Sequence, residues 1–141
     1  MPGSEDVFAV VREWVLKAEN DLTNATHTLK LRDDCPTDTV CFHAQQCVEK
    51  YLKALLVLKG IRFPRVHNIE ELIALVPKTD RPELSADEQE RLTDFATVTR
   101  YPGIYEPVTL SDARTAVSVA RRVRRSIRSV LPKSTTTRPK K

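Results

Sequence analysis

Apolar residues recur along this chain at intervals of three and four, and nowhere alternate in twos over the length of a strand. The densest stretch is Asp38 to Gly60. There Cys41, Ala44, Val48, Tyr51, Leu52, Leu55 and Leu58 keep helical spacing, and Val40, Cys47, Ala54 and Val57 widen the face. A helix apolar over most of its circumference belongs in the middle of a bundle. Thr37/Asp38 and Gly60 supply start and stop signals. One narrow stripe of this helix stays polar: His43, Gln46, Glu49/Lys50 and Lys53, three and four apart.

The flanking segments are more ordinary. Val7, Val11, Trp14, Ala18, Leu22, Ala25 and Leu29 form one apolar stripe, predicting a first helix over Glu5–Leu31 with Ser4 as its cap. On that stripe Trp14 reads as core, and His27 lies off it. Pro36 ends the short connection to the central helix, making the two antiparallel neighbours. Asn68 with Glu71 opens a short third helix that Pro77 stops, and Ser85-x-x-Glu88 is a capping box for a fourth reaching Thr99 or Arg100. After Pro102-Gly103, Ser111 is the expected cap of a fifth helix, with Ala113, Ala116/Val117, Ala120, Val123, Ile127 and Val130/Leu131 inward. The prediction is an all-α protein, a five-helix up-and-down antiparallel bundle over residues 1–131. Residues 132–141 carry no aliphatic content and read as a basic, disordered tail.

A chain of 141 residues is one domain by length, able to bury a core unaided. No apolar run approaches the roughly 20 residues of a membrane-spanning helix. The opening MPGSEDVF is acidic where a signal peptide is basic, so the expected location is cytoplasmic. Cys35, Cys41 and Cys47 lack a CxxC pair and read as reduced thiols. His27, His43 and His67 have no metal-ligand spacing. Neither a metal nor a cofactor is expected.

Charge is uneven. Residues 112–141 hold ten basic residues and one acidic, whereas the rest, with thirteen basic and eighteen acidic, is net negative. Arg121, Arg122, Arg124, Arg125 and Arg128 therefore make a candidate surface for nucleic acid or an acidic partner. Arginines in a last helical turn also suit the negative end of the helix dipole, and charge alone leaves both readings open.

Three glycines cannot build a phosphate-cradling loop, and no Gly-x-Ser-x-Gly or His-Glu-x-x-His motif is present. Two features offer chemistry. One is the polar stripe of the central helix, which as a bland alternative is a solvated face. The other is the loop Thr99-Arg100-Tyr101-Pro102-Gly103-Ile104-Tyr105-Glu106-Pro107. There a guanidinium fork and two phenols can meet a phosphate and a base, or Arg100 can simply cap the fourth helix.

Trp14 and Asp21-Leu22, then Phe42-His43-Ala44-Gln45-Gln46-Cys47-Val48-Glu49-Lys50-Tyr51-Leu52-Lys53-Ala54, then His67 and Arg100-Tyr101-Pro102, occur in an order and spacing that resemble the HEPN family. The similarity runs from about residue 8 to 130, and its most specific part is the segment from Phe42 to Ala54. The resemblance implies a five-helix bundle that dimerises, commonly beside a minimal nucleotidyltransferase in a toxin–antitoxin-like pair. Many such proteins are metal-independent ribonucleases with an Arg-x(4–6)-His motif. Here Arg100 can supply the Arg, but positions 105 to 107 are Tyr105, Glu106 and Pro107, and no His follows His67. That departure points away from an enzyme.

Three functions follow from the resemblance. The first is a non-catalytic subunit binding a nucleotide or a nucleotidyltransferase partner. In it Lys50, Lys53 and Arg100 meet phosphate, His43 and Gln46 supply hydrogen bonds, and Tyr101 or Tyr105 stacks or accepts a nucleotidyl group. The second is a ribonuclease toxin with an altered site, relying on Arg100 and on RNA held by the basic last helix. The third is a structural dimerisation adaptor.

Overall fold

The computed structural model describes residues 4–97 and 106–138. Every regular element among them is helical: α1 (Ser4–Leu29), α2 (Thr37–Leu58), α3 (Ile69–Leu75), α4 (Ala86–Phe95), α5 (Leu110–Val130) and α6 (Lys133–Thr136). The architecture is an all-α bundle, as the hydrophobic spacing predicts.

α2 lies at its centre, packed against α1, α3, α4 and α5. Its side chains from Val40 to Leu56 are largely buried, with Tyr51, Leu52, Leu55 and Leu56 wholly so. α1 runs antiparallel to α2, because Asp21 meets both His43 and Lys50 while Lys53 reaches back to Trp14. α5 runs in the same direction as α2. Thr37 at the start of α2 donates to the Val108 carbonyl just before α5, and Tyr51 near the end of α2 meets Arg128 near the end of α5. The intervening α3 and α4 allow that return.

Several ends follow the sequence. Asn68 Oδ1 accepts from Glu71 N–H at 2.9 Å, and Ser85 and Glu88 form the reciprocal capping box. Gly60 takes φ +70°, which lets Ile61 N–H close back on the Leu56 carbonyl at 2.9 Å.

Three ends differ. Thr37 Oγ1 is used on Val108 rather than as a cap, and α2 has no side-chain N-cap. α5 is capped by Thr109, in a second reciprocal box with Asp112, and not by Ser111. The Thr109-x-x-Asp112 pair satisfies two orphan amides together, which Ser111 within the first turn cannot do. Finally, the segment expected to be a disordered tail from residue 132 forms α6. Its Thr135 is only 1% exposed and Thr136 accepts through its carbonyl from Arg128. A single turn set by Pro132 packs without any aliphatic side chain, because Thr135 returns its hydroxyl to the Pro132 carbonyl at 2.6 Å. The expected end of α4 at Thr99 or Arg100 lies outside the described residues. No helix among the described residues is long and apolar enough to cross a membrane.

Candidate functional site

The polar stripe of α2 is present, but α1 and the loop after α2 cover much of it. At the outer part, Asp21 of α1 is approached by two groups of α2. His43 Nδ1 donates to Asp21 Oδ1 at 2.8 Å, and the Lys50 ammonium pairs with Oδ2. Asp21 is 8% exposed as a residue, while the His43 and Lys50 side chains keep 31% and 21% of their surface. Because Nδ1 is held by an acceptor-only carboxylate, His43 presents Nε2 outward.

Deeper along the helix the stripe becomes a closed network. Gln46 donates to Gln45 Oε1 at 2.7 Å, and Gln45 donates to Glu49 Oε1 at 3.1 Å. Glu49 also accepts from His67 Nδ1 at 2.8 Å and pairs with Lys53 at 3.1 Å. The Lys53 ammonium lies 5.5 Å from the Trp14 ring centre and 5.8 Å from that of Phe63. Those rings attract the cation through their negative faces. Trp14 is therefore half-buried and sits edge-on to Phe63, part core and part wall for the charge. Every buried side-chain N or O among the described residues has a hydrogen-bond partner. Lys53 is thus fully engaged, whereas His43, Gln46 and Lys50 retain surface.

The arginines of α5 do not form one free basic face. Arg122 turns toward α4, donating to Glu88 and the Glu83 carbonyl. Arg121 reaches Thr26, and Arg124 grips Glu19 through two bonds of 2.8 Å. Arg128 contacts the Tyr51 hydroxyl, the Thr136 carbonyl and Glu19. Arg125 is exposed. Tyr51 donates its hydroxyl to Glu19 at 2.7 Å, so Glu19 joins α1, α2 and α5. Burial alone would raise the Glu19 carboxyl, but the Arg124 and Tyr51 bonds, with the charges of Arg124 and Arg128, hold it below its ordinary value. Burial, opposed by Arg128 and reinforced by Glu19, pushes the Tyr51 phenol up.

The sequence matches the HEPN domain family over residues 11–130, most of its length. The chain belongs to the HEPN family. Among solved structures, its fold is similar to the crystal structure of TT1696 from Thermus thermophilus, with a TM-score of 0.68 at 27% identity, over 86% of this chain and 98% of that one. A search of curated proteins gives no match.

In this HEPN domain Arg100, Tyr101 and Tyr105 lie outside the described residues, and so does any meeting between them and α2. The chain after them returns at Val108, beside the first turn of α2. His43 is six residues into α2, about 9 Å along its axis from Thr37, whereas Lys53 is about 24 Å away. Asp21, Glu19 and Tyr51, with Gln45, Glu49 and His67, are members of these networks that the candidate residues omit. Asp21 is legible only through the family pattern. Tyr51 reads as core by spacing, and its one signal is that a buried phenol demands a partner.

Proposed function

We propose that this HEPN chain is a non-catalytic subunit that binds a nucleotide, and with it a nucleotidyltransferase partner, at the outer part of the α2 stripe. His43, Gln46 and Lys50 carry the site, joined by Arg100, Tyr101 and Tyr105 of the α4–α5 connection. Lys53 is left out, because Glu49 and the two aromatic rings already use its charge. The observation that supports this reading is the convergence of His43 and Lys50 on Asp21. One carboxylate fixes both groups at the surface, so the Lys50 ammonium is held ready for phosphate oxygens and the His43 Nε2 for a hydroxyl or amino donor of the nucleotide, without ordering at the moment of binding. The reading includes a homodimer and a toxin–antitoxin-like pairing.

The test is titration with ATP by calorimetry, comparing wild type with Lys50→Ala and His43→Ala. The expected result is measurable binding weakened about tenfold by either change. Binding unaffected by both removes this site. Affinity recovery from the native cell, followed by intact-mass measurement, tests the partner. A nucleotidyltransferase in the recovered complex supports it, and a lone unmodified dimer favours an adaptor.

One observation favours a second reading. An imidazole oriented by a carboxylate is the arrangement of a general base, so His43 with Asp21 can stand in for the histidine missing after Arg100 in a metal-independent ribonuclease. RNA cleavage abolished by His43→Ala and by Arg100→Ala would select it.

A further inference from the structure

A concavity lies away from the α2 stripe, between α1, the end of α5 and α6. It has a volume of about 670 Å³ and continues into a second hollow of about 210 Å³ that shares Glu19, Thr23 and Arg124 with it. Together they form one groove bordered along α1 from Ala9 to His27, about 27 Å at the rise of an α-helix. We propose that this groove docks an extended acidic segment of a partner protein, one that carries aliphatic residues between its carboxylates.

Charge is the first argument. Arg12, Arg121, Arg124, Arg128 and Arg138 line the groove, against the carboxylates of Glu13 and Glu19 alone. Glu19 is saturated by Arg124 and Tyr51. Arg12 and Arg138 make no ion pair among the described residues. The groove therefore offers uncompensated guanidinium groups at its margins, disposed to grip carboxylates bidentately.

Shape and lining argue for peptide over nucleic acid. A length of about 27 Å suits an extended chain of about eight residues at 3.3 Å each. No aromatic side chain other than the imidazole of His27 lines it, so single-stranded bases would find no stacking platform. Apolar surface is present instead. Leu16 is 42% exposed, one of three large apolar side chains so exposed among the described residues, and it sits within the groove with Ala9 and the edge of Val15. α6 and Thr137 after it complete the far wall; the Thr136 and Thr137 hydroxyls donate to the Lys133 carbonyl, which leaves their oxygens as acceptors for a backbone N–H.

The experiment uses the full chain and a fluorescein-labelled ten-residue peptide alternating Glu and Leu, followed by fluorescence anisotropy at low salt. Comparison probes are a peptide of Glu and Gly and a ten-nucleotide oligouridine. The expected result is binding of the Glu–Leu peptide that weakens at least tenfold in Arg12→Glu/Arg138→Glu, and severalfold in Leu16→Asp. Arg65→Glu, an exposed arginine on the loop after α2, should leave it unchanged. These margins take no part in the core, so the variants should fold, which circular dichroism checks. Four results would overturn the proposal: no binding of the Glu–Leu peptide, equal loss with Arg65→Glu, equal affinity for the Glu–Gly peptide, or tighter binding of oligouridine. Self-association of the wild type that disappears in Arg12→Glu/Arg138→Glu would also overturn it, assigning the groove to a second copy.

Discussion

Lys53 Nζ sits 3.1 Å from Glu49 Oε2 one turn back along α2, with only 8% and 3% of their side chains exposed. An i,i+4 pair of this kind on a solvated face contributes a few tenths of a kcal/mol. Burial changes its weight. Removing Lys53 leaves the buried Glu49 charge to Gln45 and His67 alone, while removing both members together removes the problem.

Lys53→Met is therefore expected to destabilise the fold by about 3–5 kcal/mol, and Glu49→Gln/Lys53→Met by much less. Urea unfolding of the two variants measures this. If the single variant loses no more than about 0.5 kcal/mol, the pair is solvated and the network reading is wrong.

The Glu19 carboxyl, held below its ordinary value, gives stability that is present at neutral pH. That share is lost as pH falls below the ordinary range of about 4.3 through the lowered folded value, since the unfolded chain takes up the proton first. Glu88 and Asp112, lowered by Arg122 and by the Thr109 amide respectively, act in the same direction. Melting temperature followed from pH 7 to pH 3 should fall steeply at the acid end for wild type. Glu19→Gln should be less stable at pH 7 and show a shallower acid slope.

Helix α5 starts at a reciprocal box, so Thr109→Ala should cost about 1 kcal/mol. Ser111→Ala, at the residue that the sequence favours as the cap, should stay within about 0.5 kcal/mol. Equal effects from the two would contradict the observed start of the helix.

Burial, with Asp112 adding to it, pushes the Cys41 thiol up to about 12, and burial drives Cys47 higher still. Neither supplies thiolate near neutrality. A thiol reagent at pH 8 should label native protein at Cys35, which is half-exposed, and reach Cys41 and Cys47 only after unfolding. Rapid labelling of all three in the native state would show an open core.

Gly60 takes a positive φ with open space around the position of a missing Cβ. Gly60→Ala should thus lose roughly 1–2 kcal/mol from backbone strain alone, with no clash to add to it. Chemical denaturation reads the difference directly.

The sequence by itself determined the class of fold, the central place of α2 and the caps at Asn68 and Ser85. Those depend on residues three or four apart, and such local order is written in the chain. It also carried the HEPN pattern from Phe42 to Ala54, and with it the polar stripe. What it could not determine was the partner of each charge. Lys50 and Lys53 are three residues apart and look alike in one dimension, yet one pairs with Asp21 from 29 residues away and keeps surface, while the other is sealed by Glu49, Trp14 and Phe63. Likewise the α5 arginines read as one basic face until Glu19 and Glu88 divide them between two neighbours. Only the tertiary structure decides such matters, because desolvation and pairing depend on what other helices bring, and that information lies far along the chain.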